Sequence, residues 1–125
     1  MILSVRTDKP EAELGLFSTT GERVDYSRWQ AHRELSSTLH SRVEQMLRDN
    51  QVDWPAITRV VFYSGPGSFT GLRIGAAFVN ALDRPVVSVS GDDWLSAGLQ
   101  LLEAGQAASA AITYGEPART TKPKK

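Results

Sequence analysis

The residues whose types and spacing could do chemistry are concentrated between 64 and 75. They are Ser64, Gly65, Pro66, Gly67, Ser68, Phe69, Thr70, Gly71, Leu72, Arg73, Ile74 and Gly75. An apolar run, Val60 to Tyr63, precedes them and reads as a buried strand, and the residues from 71 to 82 read as a helix. The stretch is therefore a glycine-rich turn from strand to helix, in which Gly65, Gly67 and Gly71 allow close backbone approach and Pro66 fixes one torsion. Ser68 or Thr70 is placed to cap the helix. Two chemistries follow from such a turn. One is a phosphate cradle built from amides at a helix start. It lacks the Lys-Ser/Thr pair of a P-loop, since the only cation nearby is Arg73. The other is close packing. Gly71, Gly75 and Val79 recur every fourth residue, and Ala76 and Ala77 widen the small-residue surface. That pattern suits a second helix lying close against this one, and the composition favours it over phosphate binding.

The remaining reactive side chains are sparse. The two histidines, His32 and His40, are eight residues apart. A helical metal pair is spaced by four, and eight residues climb roughly 12 Å, too far to share one ion. There is no cysteine, hence no thiolate and no disulfide. Ser68 lies in a turn but no Gly-x-Ser-x-Gly sequence surrounds it. Arg119, Lys122, Lys124 and Lys125 form a basic end that could touch nucleic-acid phosphates, yet no aromatic residue interleaves them for base stacking.

The elements that must position these groups follow from periodicity. Strands are predicted over 1–5, 12–17 and 23–29, the last alternating polar and apolar as an edge strand does. A helix is predicted over 34–49, with Leu35, Leu39, Val43, Met46 and Leu47 on one stripe and Asn50 as its stop. The central strand is 59–63, the signature turn and the 71–82 helix follow, and a buried strand is predicted at 86–89. A third helix opens near Gly91, Asp92 and Asp93, whose acids suit a first turn, and Gly105 ends it. A last short strand is expected at 107–114. The order β-β-β-α-β-α-β-α is an antiparallel meander followed by α/β crossovers, which gives a mixed α/β sheet with helices on it.

The run from Gly65 to Gly75 resembles the GPGSFTG(V/L)RIG signature of the TsaB family, formerly YeaZ, bacterial partner subunits in making threonylcarbamoyladenosine on tRNA. The strand before it and the Arg84 to Ser90 segment after it agree with that family. The resemblance covers about 1–113 and is weak before residue 33. It implies the ribonuclease-H-like half-fold of the actin/hexokinase superfamily. It also implies a non-catalytic scaffold that binds a TsaD-like catalytic subunit through its first two helices, in the complex that modifies adenosine 37 of tRNA. The contact residues it suggests are Leu35, Leu39, Val43, Met46, Gly71, Leu72, Gly75, Phe78 and Val79, some of which must instead face the sheet, a division that periodicity alone does not make. ATP and metal would sit on the partners, a TsaD-like subunit and a TsaE-like ATPase, with none bound by this chain itself, and tRNA would be reached through the complex. The readings left beside it are a self-associating homodimer on the same helices and a small ATP-dependent phosphotransferase using the 65–71 loop. The superfamily often places an Asp on its first hairpin to position phosphate or metal. Here Arg6, Thr7 and Asp8 stand where Asp-Thr-Ser is usual, so Asp8 reads as a turn residue. The His-x-x-x-His pair of the catalytic family is missing, as are zinc ligands for its older peptidase label. Leu35 stands where the family often has His. Full-length TsaB proteins have two such halves, and this chain stops about where the second would begin.

Composition sets outer bounds. At 125 residues the chain is one domain, expected to span 1–114 with a disordered basic tail at 115–125. Such a length buries a real core. The 14 Lys and Arg balance the 14 Asp and Glu, but all the acids lie at or before Glu116, so the body carries −4 and the tail +4. No apolar run approaches the ~20 residues of a membrane span, and the first residues do not read as a signal peptide. Together these suggest a cytoplasmic protein.

Overall fold

The computed structural model describes residues 1–105. Its elements are β1 (Ile2–Arg6), β2 (Glu11–Phe17), β3 (Arg23–Gln30), α1 (Leu35–Asp49), β4 (Arg59–Tyr63), α2 (Phe69–Leu82), β5 (Val86–Val89) and α3 (Trp94–Glu103). Short 3-10 turns precede α1 and β4. The strand expected at 107–114, the domain end at 114 and the basic tail lie outside the described residues.

The five strands form one mixed sheet in the order β3-β2-β1-β4-β5. β1 pairs antiparallel with β2 and parallel with β4; β2–β3 is antiparallel and β4–β5 parallel. This is the predicted meander followed by crossovers, with β3 on an edge as its alternation required. The two faces are covered differently. Successive strand residues point to opposite faces. Gly75 of α2 lies against Phe62, and Gly98 of α3 against the preceding residue, Val61. So α1 and α2 share one face and α3 covers the other, over β4 and β5.

The apolar residues do what their spacing dictates. Leu35, Leu39, Val43, Met46 and Leu47 of α1 are all buried, packing with Leu3, Val5, Leu14 and Leu16 of the sheet. Trp29 of β3 donates from its indole nitrogen to the Thr38 hydroxyl, tying the edge strand to α1 (3.2 Å). Asn50 ends α1 as expected, its side-chain amide donating to the Met46 carbonyl and to Asp25 of β3 (both 2.8 Å).

Two boundaries differ from the sequence reading. α2 begins at Phe69, two residues early, because Ser68 is the cap: its hydroxyl accepts from the Gly71 amide (3.2 Å). Phe69 and Thr70 are thus the first turn of the helix. Asp92 and Asp93 precede α3 instead of entering its first turn, and no side chain caps that helix. Among the described residues no helix is long and apolar enough to cross a membrane.

Candidate interaction face

The signature loop is held from three sides. Tyr63, at the end of β4, donates its hydroxyl to the Pro66 carbonyl (2.8 Å). Ser64 donates its amide and its hydroxyl to the Val89 carbonyl of β5 (2.8 and 3.2 Å). Ser68 donates its amide to the Asp8 carbonyl in the β1–β2 turn (2.8 Å). The amides of Ser68 and Gly71, which a bound phosphate would use, are therefore engaged within the chain, so the cradle reading has lost two of its donors.

The glycine spacing is explained by what α2 touches. A Cβ on Gly71 would run into the backbone carbonyl oxygen of Thr7, and one on Gly75 into the Thr7 hydroxyl, with Phe62 Cε1 2.9 Å away. Thr7 closes this contact by donating its hydroxyl to the Gly71 carbonyl (2.8 Å). The flat strip lets α2 lie against the end of the chain's own β1. The burial of each side chain supplies the division between inward and outward groups that periodicity leaves open. Leu35, Leu39, Val43, Met46, Leu72, Gly75 and Val79 are buried against the chain's own sheet and helices. Only Gly71 and Phe78, both half-buried, still reach the surface among the suggested contacts. Helical spacing marks a packed stripe, and it does not say whose atoms pack it.

The outward side of the pair is different. On α2, Thr70, Arg73, Ala77 and Ala81 are exposed, beside half-buried Ile74, Phe78 and Leu82. On α1, Ser36, Ser37, His40 and Ser41 are exposed. His40 stacks on Trp54 (centroids 5.3 Å apart) and meets the edge of Phe78 (6.3 Å), so an aromatic group bridges the two helices. Phe69 is 49% exposed at the start of α2, with the Arg73 guanidinium 5.7 Å from its ring. The sequence marked Ala77 as part of a small-residue surface and Ile74 as part of the signature, whereas the place of His40 between the two helices was not legible from its spacing. A groove of about 330 Å³ lies between the starting ends of α1 and α2, lined by Thr7, Lys9, Arg33, Leu35, Thr70 and Ile74 among others. That is the lower limit of ligand pockets.

The carboxylates near the end of β1 are engaged by side chains of this chain. Asp8 is 8% exposed, and both of its oxygens are taken by Arg6, Nε to Oδ1 at 2.7 Å and Nη2 to Oδ2 at 3.3 Å. Asp8 hydrogen bonding holds the Arg6 guanidinium above its already high ordinary value, against the opposing effect of burial. Glu13, opposite Arg6 on β2, accepts from Lys9 Nζ and from the Tyr26 hydroxyl (both 2.6 Å), with Arg28 at 3.8 Å. Burial alone would raise the Glu13 carboxyl; the Lys9 and Tyr26 hydrogen bonds and the charges of Lys9 and Arg28 outweigh it and leave Glu13 below the usual range. Burial, then the Glu13 contact, push the Tyr26 phenol up. Each carboxylate already has its cation from this chain, and the site does not fit a metal ion. Among the described residues no group of three His, Cys, Asp or Glu side chains could hold one.

A mixed sheet in this order, with two helices on one face and one on the other, defines an α/β domain of the superfamily that the signature implied. A family model described as "TsaD: tRNA N6-adenosine threonylcarbamoyltransferase" matches residues 29–107, and the chain belongs to that family. Among solved structures it is similar to "YeaZ from Pseudomonas aeruginosa", with a TM-score of 0.64 and 29% identity over 71% of this chain and 43% of that one. A second, described as an uncharacterized protein with similarity to peptidase YEAZ from the same organism, gives the same TM-score and identity over 71% and 42%. The chain thus spans less than half the length of these two proteins. No curated protein is matched.

Proposed function

We propose that this chain is a TsaB-like, non-catalytic scaffold in forming N6-threonylcarbamoyladenosine at position 37 of tRNA. It docks a TsaD-like catalytic subunit through the outward face of α1 and α2, and a TsaE-like ATPase joins the assembly. The observation that carries this reading is the likeness to YeaZ at 29% identity over 71% of this chain; the family match over 29–107 includes the two helices concerned. The exposed strip of Thr70, Arg73, Ala77 and Ala81, with Ile74 and Phe78 beside it, supports it: small and aromatic groups let a helix approach closely. The buried stripe named from periodicity has a different part, that of keeping the two helices fixed against the sheet. A non-catalytic role is supported by Asp8 being held by Arg6 and by the missing His-x-x-x-His pair.

Ala77→Arg tests the reading. Ala77 is exposed, so the fold tolerates the change, while a partner helix meets a long cation in place of a methyl group. Affinity for a TsaD-like subunit, measured by pull-down and titration, should fall by at least ~30-fold, the effect of about 2 kcal/mol at an interface centre. Undiminished binding removes the outward face from the proposal. The same face also fits a second copy of the chain, which would compete with the partner. Sedimentation with and without the TsaD-like subunit measures that competition.

A further inference from the structure

The edge strand β3 carries a row of guanidiniums that docking through α1 and α2 does not use. Leu14 pairs with Val5 and with Ser27, and Val5 pairs with Phe62. Ser27 is therefore on the α1–α2 face of the sheet, and Tyr26 and Arg28 are on the other. α3 covers that other face over β4 and β5, at the opposite edge from β3. Tyr26 pairs with Gly15, where a Cβ would stand 2.9 Å from the Tyr26 ring, so the missing side chain lets the ring lie close on the sheet. Glu13 fixes the far end of the ring by accepting from the phenol hydroxyl (2.6 Å). The Arg23 and Arg28 guanidiniums rest on this ring, 4.7 and 4.8 Å from its centroid. They come from register positions on either side of Gly15, opposite Phe17 and Glu13. Around the edge, on the other face, the Arg42 guanidinium is 5.1 Å from the centroid of the Trp29 ring. All three arginines are exposed. Among the described residues Arg23 and Arg42 have no carboxylate within ion-pair distance, and Arg28 has only Glu13 at 3.8 Å, which Lys9 and Tyr26 already hold. The other acids of this hairpin are Glu22, exposed in the turn, Glu11, 4.0 Å from Lys9, and Asp25, which accepts from the Tyr26 amide and from Asn50.

We infer that the β3 edge is an RNA-binding surface, with Arg23, Arg28 and Arg42 as its phosphate contacts. An aromatic face holds a cation in place without neutralising it, so each guanidinium keeps its charge for a group outside the chain. The interleaving of cations with aromatic rings that the basic end of the sequence lacks is present here. A guanidinium meets phosphate oxygens with two parallel donors, and its plane also stacks on a base. An acidic protein segment would use the charge alone. A charged edge also discourages strand pairing, but charge of either sign does that, and it gives no reason to seat three arginines on rings. tRNA as the particular RNA rests on the function proposed above. The three arginines are distinct from the strip of Thr70, Arg73, Ala77 and Ala81 proposed for docking, so the RNA titration and the Ala77→Arg test can fail separately.

The experiment is a fluorescence-anisotropy titration of the full chain, without any partner, into a labelled unmodified tRNA transcript between about 50 and 200 mM salt. The parent should bind, with an affinity that falls as salt rises. Arg23→Gln combined with Arg28→Gln should weaken binding by about tenfold or more and lower the salt slope by about one for each guanidinium removed. Arg73→Gln removes a cation from α2 and should have a far smaller effect. The basic end of the chain is the same in every variant, so the difference belongs to β3. RNA should also protect Arg23 and Arg28 of the parent from phenylglyoxal more than it protects Arg73, read by mass spectrometry, a measurement that needs no variant to fold. A parent that binds no RNA overturns the inference. So do a folded double variant that binds like the parent, an equal loss in Arg73→Gln, and protection confined to arginines outside 23 and 28. Displacement of the RNA by polyglutamate as effectively as by unlabelled tRNA overturns it in favour of an acidic protein partner.

Discussion

Replacing Gly71 by alanine sets two opposed effects against each other, and the structure says which is larger. In an exposed helix the change gains about 1 kcal/mol, because glycine is the poorer helix former. Here the new methyl group meets the Thr7 backbone carbonyl, with its carbon 3.2 Å away. A backbone atom cannot rotate aside, so α2 must lift from β1. Overpacking of this kind costs about 1–3 kcal/mol. Lifting α2 also breaks the bond from the Thr7 hydroxyl to the Gly71 carbonyl, a loss of about 1 kcal/mol. The net expectation is a destabilisation of about 2 kcal/mol, which lowers the melting temperature of a domain of this size by about 8 °C. Thermal and urea unfolding followed by circular dichroism would measure it. Gly75→Ala should behave alike, since its methyl group meets Thr7 and Phe62, whereas Ala77→Gln on the exposed side should stay within about 0.5 kcal/mol of the parent. A Gly71→Ala variant as stable as the parent, or more so, would show that α2 does not rest on Thr7, and the assignment of its inner and outer faces would fall with it.

Further outcomes follow from single side chains. Folded Glu13 titrates below its unfolded counterpart, so the stability it contributes is present above the ordinary carboxylate value of about 4.3 and is lost as pH falls through that range. Glu13→Gln should be less stable than the parent at pH 7 and show a flatter acid limb between about pH 5 and pH 3 in urea midpoints; an unchanged slope refutes the Lys9–Glu13–Tyr26 assignment. Tyr26 has its folded value raised, so its contribution is complete below the ordinary phenol value of about 10 and declines as pH rises above it, which Tyr26→Phe should remove from the alkaline limb of the same measurement. Ser68→Ala, by deleting the cap of α2, should cost about 1 kcal/mol in chemical unfolding and quicken amide exchange at Gly71.

Much of this molecule was legible without coordinates. Period-two alternation in 23–29 marked an edge strand, and the edge is where β3 lies. The stripe from Leu35 to Leu47 marked α1, and the run from Gly65 to Gly75 marked both the strand-to-helix turn and the family. These are local properties: side-chain period, cap chemistry and turn composition act within a few residues and are written directly in the chain. What touches the glycine strip is not local. Gly71 is 64 residues from the Thr7 hydroxyl that its carbonyl receives, and nothing in its own neighbourhood distinguishes a strip shaped for β1 from one shaped for another protein. The same holds for Arg6 and Asp8. The sequence placed a cation near an acid, but only the tertiary structure set Arg6 over the Tyr63 ring and Asp8 against Gly67, with both Asp8 oxygens engaged by the guanidinium. Local patterning determined the elements and their order, while packing between distant residues decided which face of α2 remains outward.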